Sequence, residues 1–288
     1  MAVMVSGALL LGPFATLGLW LWLRSRREPI DLVETFDIGR VMGRSFAVFG
    51  REGLPIAALA VLLVGVPQAI WTAMLRSTML STTPVGGMWD AHVARIMSSL
   101  FSVPMALGTL ALFLCTTNFY IAAIRFLAQR ETGQGGTLGE ALKAAPGLLL
   151  PTLVVMLLGY LGVTVLMLLF IVPGVVMALS WLVAIPVMVN ERTGIIEAFR
   201  RSRALALGSR GRMLVAGLLI LVMTMLLSMV SALAAGGMGG VSVMPMVRQG
   251  LVTVLSAMIH AGFVASVYAE LRQVREGFAV PTLAEVFA

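Results

Sequence analysis

The stretch AAPGLLLPTLVVMLLGYLGVTVLMLLFIVPGVVMALSWLVAIPVMVN, residues 144–190, runs for 47 positions without a charged side chain. About 20 apolar residues cross a bilayer core of about 30 Å, so the stretch holds two membrane spans. Pro173-Gly174, near its middle, is the expected turn between them. Further charge-free runs occupy Ala2–Leu23, Gly53–Leu75, Ile96–Ile124, Met213–Val247 and Gln249–Ala269. The fold class that follows is all-α: a polytopic helical membrane bundle. The spans fall at about 2–23, 54–75, 99–124, 148–171, 175–190, 213–235 and 248–270. Residues 1–27 read as an N-terminal span resembling a signal anchor, and 28–288 as a membrane domain of six core spans.

Composition agrees with this. Of the 288 residues 59% are hydrophobic and only 11% charged, more apolar surface than a soluble domain of this size can hide. The net charge of +7 does not point to nucleic acid, because the basic residues gather at span ends rather than on a polar domain. A single cysteine, Cys115, excludes an intrachain disulfide and a zinc–thiolate cluster.

Counting Lys and Arg in alternate loops gives 17 on one side and 3 on the other. The poor side holds Arg76, Arg95 and Arg248. The rich side is expected to be cytoplasmic, which puts the C-terminus inside and the N-terminus outside. The first span has no basic residue before it and Arg24, Arg26 and Arg27 after it, the reverse of a cleaved signal peptide.

The segments on the basic side carry helical patterns of their own. In TFDIGRVMGRSFAVFGRE (35–52), Ile38, Val41, Met42, Ser45 and Phe49 share one face, with Arg40, Arg44 and Arg51 on another. Such a helix is too polar to span and suits a membrane surface, with Phe36 and Phe49 on the buried side. Residues 194–210 repeat the pattern with Arg200, Arg201 and Arg203. A third amphipathic stretch, 137–147, opens with Thr137 and Glu140 at capping-box spacing. The six arginines Arg40, Arg44, Arg51, Arg200, Arg201 and Arg203 are candidate contacts for anionic lipid headgroups, the one partner the sequence implies. Three interfacial helices, each followed by a hairpin, are also compatible with a threefold internal repeat starting near Thr35, Thr137 and Thr193.

Ionisable residues within a span are costly in lipid and are the usual functional candidates. Here Asn118, His260 and Gln68 are the polar side chains to weigh. His260 reads either as a proton relay or as an imidazole bonded to a neighbouring helix; with no carboxylate inside the expected spans, the second reading is favoured. Asn118 reads as interhelical glue. Ala257, Ala261, Ala265 and Ala269 recur every four residues and form a small-residue packing seam, with a matching Ser228, Ala232 and Gly236 series in the preceding span. Asp90 and His92 are wrongly spaced to share a metal on a helix. Gly236 to Gly240 reads as a flexible turn. No H-E-x-x-H, G-x-S-x-G or phosphate-cradling motif occurs, so no catalytic residue, metal or cofactor is expected.

The block PGVVMALSWLVAIPVMVNERTGIIEAFRRSRALALG (173–208) is the most distinctive. Its Pro173-Gly174, Trp181, Pro186, Glu191, Glu197-Ala198, Ser202, Leu205 and Gly208 resemble the bacterial glycerophosphoryl diester phosphodiesterase membrane-domain family, related to the YciC-like inner-membrane proteins. The 35–52 stretch is similar to that family's first amphipathic helix, and the likeness extends over roughly 35–275. It implies six core spans, a bacterial inner-membrane location and a membrane module of uncharacterised role, with no catalytic residue to carry over. The phosphodiesterase activity of fused members belongs to a separate soluble barrel that this chain lacks. The span at 2–23 departs from the family pattern. The role expected is non-enzymatic, a scaffold or homeostasis factor, with a small-solute or lipid transporter as the alternative.

Overall fold

The computed structural model describes residues 35–81 (apart from 48, 51 and 52), 102–131, 136–233 and 244–277. The expected first span, Arg51, the loop with Asp90 and His92 and the glycine-rich turn at 236–240 lie outside them. The described residues contain helices and no strand. Six helical stretches are long and apolar enough to cross a membrane: Gly53–Leu75, Val103–Arg130, Leu138–Leu169, Ile171–Glu191, Arg210–Leu233 and Val247–Glu276. The chain is a multi-pass integral membrane protein, and these six correspond to the six core spans.

The helices in chain order are α1 (Ile38–Ala47), α2 (Gly53–Ala60), a π-helical turn (Val61–Gly65), α3 (Val66–Ser81), α4 (Val103–Glu131) and α5 (Leu138–Leu169). They continue as α6 (Ile171–Trp181), α7 (Ala184–Glu191), α8 (Ile195–Ala206), α9 (Arg210–Leu233) and α10 (Met244–Glu276). The last helix is the hub. It packs against α1, α2, the π turn, α3, α4, α7, α8 and α9. Its membrane window is 61% buried, against 11% for α5, so α10 is central and α5 peripheral. The alanine ladder explains how. Ala257, Ala261 and Ala265 are buried, which lets neighbouring helices approach closely. The π turn comes close to α10: a Cβ added to Gly65 would stand 2.9 Å from Val254 Cγ2.

The proline signals mark breaks but not their positions. The turn expected at Pro173-Gly174 falls instead at Phe170, the one extended residue between α5 and α6 (φ −153°, ψ 114°). Pro173 is the third residue of α6, where a missing N–H leaves no intrahelical bond unmade. Gly174 is required by the reversal: a Cβ there would lie 2.8 Å from Met167 Cα and Met167 N. Pro186 likewise is the third residue of α7, after a break at Leu182 and Val183. Pro67 follows the π turn, whose widened bonding has the Val66 N–H donating to the Val61 carbonyl.

The separate helix expected at 137–147 is instead the opening of α5. The capping box is present: Thr137 Oγ1 accepts from the Glu140 N–H (3.3 Å) and Glu140 Oε2 from the Thr137 N–H (3.4 Å). The helix then runs on through Pro146 and Pro151 into the span. The other two amphipathic segments do form separate helices, α1 and α8. Their apolar faces turn toward protein: Val41 and Ser45 of α1 are buried, as are Ala198, Ser202 and Leu205 of α8. Phe36 joins the core, whereas Phe49 stays 42% exposed.

Candidate functional site

The arginines of α1, α8, α9 and α10 meet at one end of the bundle, around the last turns of α10. Glu270 sits there with no solvent exposure. Its Oε1 accepts the Asp37 backbone N–H at 3.0 Å, and its Oε2 accepts Arg44 Nη1 at 3.3 Å. Arg40 Nη1 lies 3.6 Å from Oε1. Arg44 spreads its other nitrogen to Gln273 Oε1 at 3.2 Å, so Glu270 and Gln273, one helical turn apart, hold the guanidinium together. A buried carboxylate is tolerated only when paired and hydrogen-bonded, and Glu270 is both.

The start of α1 explains the geometry. Asp37 caps it, with Oδ1 accepting the N–H groups of Gly39 (2.8 Å) and Arg40 (3.2 Å). In a capping box a Glu three residues on would bond back to the cap's own N–H. Here that position is Arg40, and Glu270 supplies the carboxylate from 233 residues away. Arg212 of α9 adds a bond to the Phe36 carbonyl at 3.0 Å.

A second carboxylate, Glu191, closes α7. Its Oε1 accepts Tyr268 Oη at 3.0 Å and its Oε2 accepts Arg201 Nε at 3.1 Å. Arg201 also bonds Glu276, which accepts Arg272 Nε at 3.0 Å. Arg275 Nη2 donates to the Leu207 carbonyl at 2.6 Å, and Ser202 Oγ of α8 to the Ser180 carbonyl of α6 at 2.8 Å. Beside this last bond, Trp181 and Phe199 stack with ring centres 4.5 Å apart, over Gly162 and Gly159 of α5. The network thus ties α1, α7, α8 and α9 to the end of α10.

The candidates within the spans are placed differently. Asn118 Nδ2 donates to the Leu114 carbonyl at 3.0 Å, and His260 Nδ1 lies 2.7 Å from the Ser256 carbonyl. Both partners belong to the residue's own helix four positions back, not to a neighbouring helix as expected. Gln68 is half-buried, and its backbone carbonyl accepts Thr72 Oγ1 at 2.7 Å. Thr116, Thr117, Thr152, Ser180 and Thr224 bond back in the same way. The structure therefore brings none of Asn118, His260 and Gln68 together by a side-chain hydrogen bond.

Of the arginines proposed for lipid, Arg40, Arg44 and Arg201 face carboxylates of this chain. Arg200 is 77% exposed and pairs with Glu197 at 2.7 Å, and Arg203 is exposed. Glu270, Glu191, Tyr268 and Gln273 were not anticipated as site residues. The available signal was positional: each carboxylate terminates a charge-free run, where it reads as a mere boundary. Among the described residues no three His, Cys, Asp or Glu side chains converge as metal ligands would. Comparison with models of known protein families, with characterised proteins and with solved structures gave no match.

Proposed function

We propose that this protein is a non-enzymatic scaffold of the bacterial inner membrane, with its basic end and C-terminus cytoplasmic and its N-terminus external. On this reading the chain is kin to the glycerophosphoryl diester phosphodiesterase membrane-domain proteins, on the strength of the 173–208 block. Exposed arginines such as Arg200 and Arg203 meet anionic headgroups of the inner leaflet. The observation that carries the reading is the contrast in polar bonding. Among the described residues, polar side chains within the spans mostly bond back to their own helices, Thr117 Oγ1 also reaching Met156 Sδ at 3.7 Å, which leaves Asn118, His260 and Gln68 without a shared constellation for a solute, while the basic end is cross-linked by charge.

The alternative is a transporter for a small solute or lipid. The breaks at Phe170 and at Leu182–Val183 and the π turn favour it, since discontinuous helices often line binding sites.

Reconstitution separates the two. Proteoliposomes holding the protein should be no more permeable to small ions and fluorescent solutes, and no faster at lipid exchange between leaflets, than protein-free vesicles. Protein-dependent flux of either kind would overturn the scaffold. For orientation, Cys115→Ser/Ile196→Cys places a thiol at a residue 83% exposed on α8. An impermeant maleimide should label it in inverted vesicles and not in intact cells; the opposite pattern reverses the topology.

A further inference from the structure

A cavity of about 370 Å³ opens between α4, the start of α5 and the end of α7. Two guanidiniums line it, Arg125 from α4 and Arg192 from the residue after α7, and no acidic side chain does. Most arginines near this end are engaged: Arg40, Arg44, Arg200, Arg201 and Arg272 bind carboxylates, Arg212 and Arg275 backbone carbonyls. Neither Arg125 nor Arg192 is matched with a carboxylate among the described residues. Thr193, also on the lining, has a buried hydroxyl without a hydrogen-bond partner. An orphaned buried donor next to two unmatched cations calls for an acceptor-rich anion.

The backbone adds an independent argument. Arg192 is the one described non-glycine residue with positive φ (52°, ψ 38°). Helices that end this way normally use Gly or Asn, because a Cβ is disfavoured there. An arginine held in this conformation at the mouth of a cavity is an outlier of the kind that collects at ligand sites. The rest of the lining is largely apolar and includes Leu148 and Pro151 of α5 and Met188 of α7. Two cations and apolar span residues on one lining suit a phosphate held at the edge of the hydrocarbon.

We propose that this cavity binds a phosphate group through Arg125, Arg192 and Thr193. The group belongs either to a phospholipid head or to a soluble phosphate. The proposal does not rest on the scaffold reading, because a transporter would hold the same ligand there.

The test uses the full chain purified in a mild detergent. Unfolding midpoints are measured with added dioleoylphosphatidylglycerol, dioleoylphosphatidylcholine or inorganic phosphate, and retained lipid is counted by native mass spectrometry. Phosphatidylglycerol, phosphate or both should raise the wild-type midpoint. Arg125→Gln and Arg192→Gly should each weaken the apparent affinity at least about tenfold, and Arg248→Gln, at the other end of the bundle near the start of α10, less than about twofold. Arg192→Gly should unfold no earlier than wild type without ligand, because glycine adopts this φ freely, so its loss of binding is not a loss of fold. Gly147→Leu keeps every charge but enlarges a lining residue whose added Cβ would meet no atom within 4 Å, and it should block binding sterically. A response to phosphatidylglycerol alone assigns the site to a lipid head; a response to phosphate assigns it to a soluble ligand. If none of the probes stabilises the wild type, or if Arg125→Gln and Arg192→Gly keep its affinity, the proposal is overturned.

Discussion

The spans and the basic end of this bundle use polar side chains in opposite ways. In the spans the bond from Asn118, His260 or Thr224 runs four residues back along the same helix. At the basic end Glu270, Glu191 and Ser202 join segments 233, 77 and 22 residues apart. The difference follows from solvent. In lipid a hydroxyl, amide or imidazole must find a partner wherever it lies during assembly, and its own helix always offers one. A bond of that kind exists before the helices meet, so it contributes little to bringing them together. The spans then associate through close packing, as the alanine ladder of α10 shows. At the membrane edge some charges pair locally, as Arg200 with Glu197 and Arg272 with Glu276, but the buried carboxylate of Glu270 and that of Glu191 are satisfied across helices.

This contrast makes graded predictions. Glu270→Ala strips Arg40, Arg44 and the Asp37 N–H of a buried acceptor at once. It should destabilise the protein by about 3 kcal/mol, read from the unfolding midpoint in detergent, with α1 losing hydrogen-exchange protection first. A variant as stable as wild type would erase the distinction between the two regions. Glu270→Gln keeps an acceptor for the N–H and should lose less, and a double-mutant cycle with Arg44→Gln isolates the pair.

Tyr268→Phe removes one hydrogen bond to the Glu191 carboxylate without changing shape. A loss of about 1.5 kcal/mol is expected in the same assay. Asn118→Leu and His260→Leu, although deeper in the membrane, should each cost only about 0.6 kcal/mol or less, because the bond removed joins a helix to itself. A loss at either position as large as that of Tyr268→Phe would mean that the span side chains also hold helices together. The smallest effect belongs to Arg200→Gln, an exposed i,i+3 pair, at about 0.5 kcal/mol or less.

The six core spans were legible because a stretch of about 20 apolar residues is a property of composition, independent of its neighbours. The alanine ladder and the Thr137–Glu140 cap were legible because helical spacing fixes them locally. The breaks were displaced because proline is compatible with the first turn of a helix, so Pro173 and Pro186 mark where a helix has just resumed rather than where it stopped. The Glu270 site was hidden for a different reason. Its partners lie on the first described helix and the last, and no pattern within either segment shows that they touch. The arginine spacing of α1 was read as a lipid-facing surface. The same spacing, i and i+4, is also what places Arg40 and Arg44 on one carboxylate.

The separation of 233 positions from Asp37 to Glu270 also sets a schedule. At a synthesis rate of about 5–20 residues per second, α1 and its two arginines emerge roughly 10–50 s before their carboxylate exists. Through that interval the nascent chain lacks its central helix, and the faces of the earlier spans that α10 will cover are open to lipid, to the insertion machinery and to proteases. Completion of the last span is therefore the event that converts a set of inserted helices into a closed unit. A chain arrested before Glu270 should be cleared by membrane proteolysis far faster than the full-length protein.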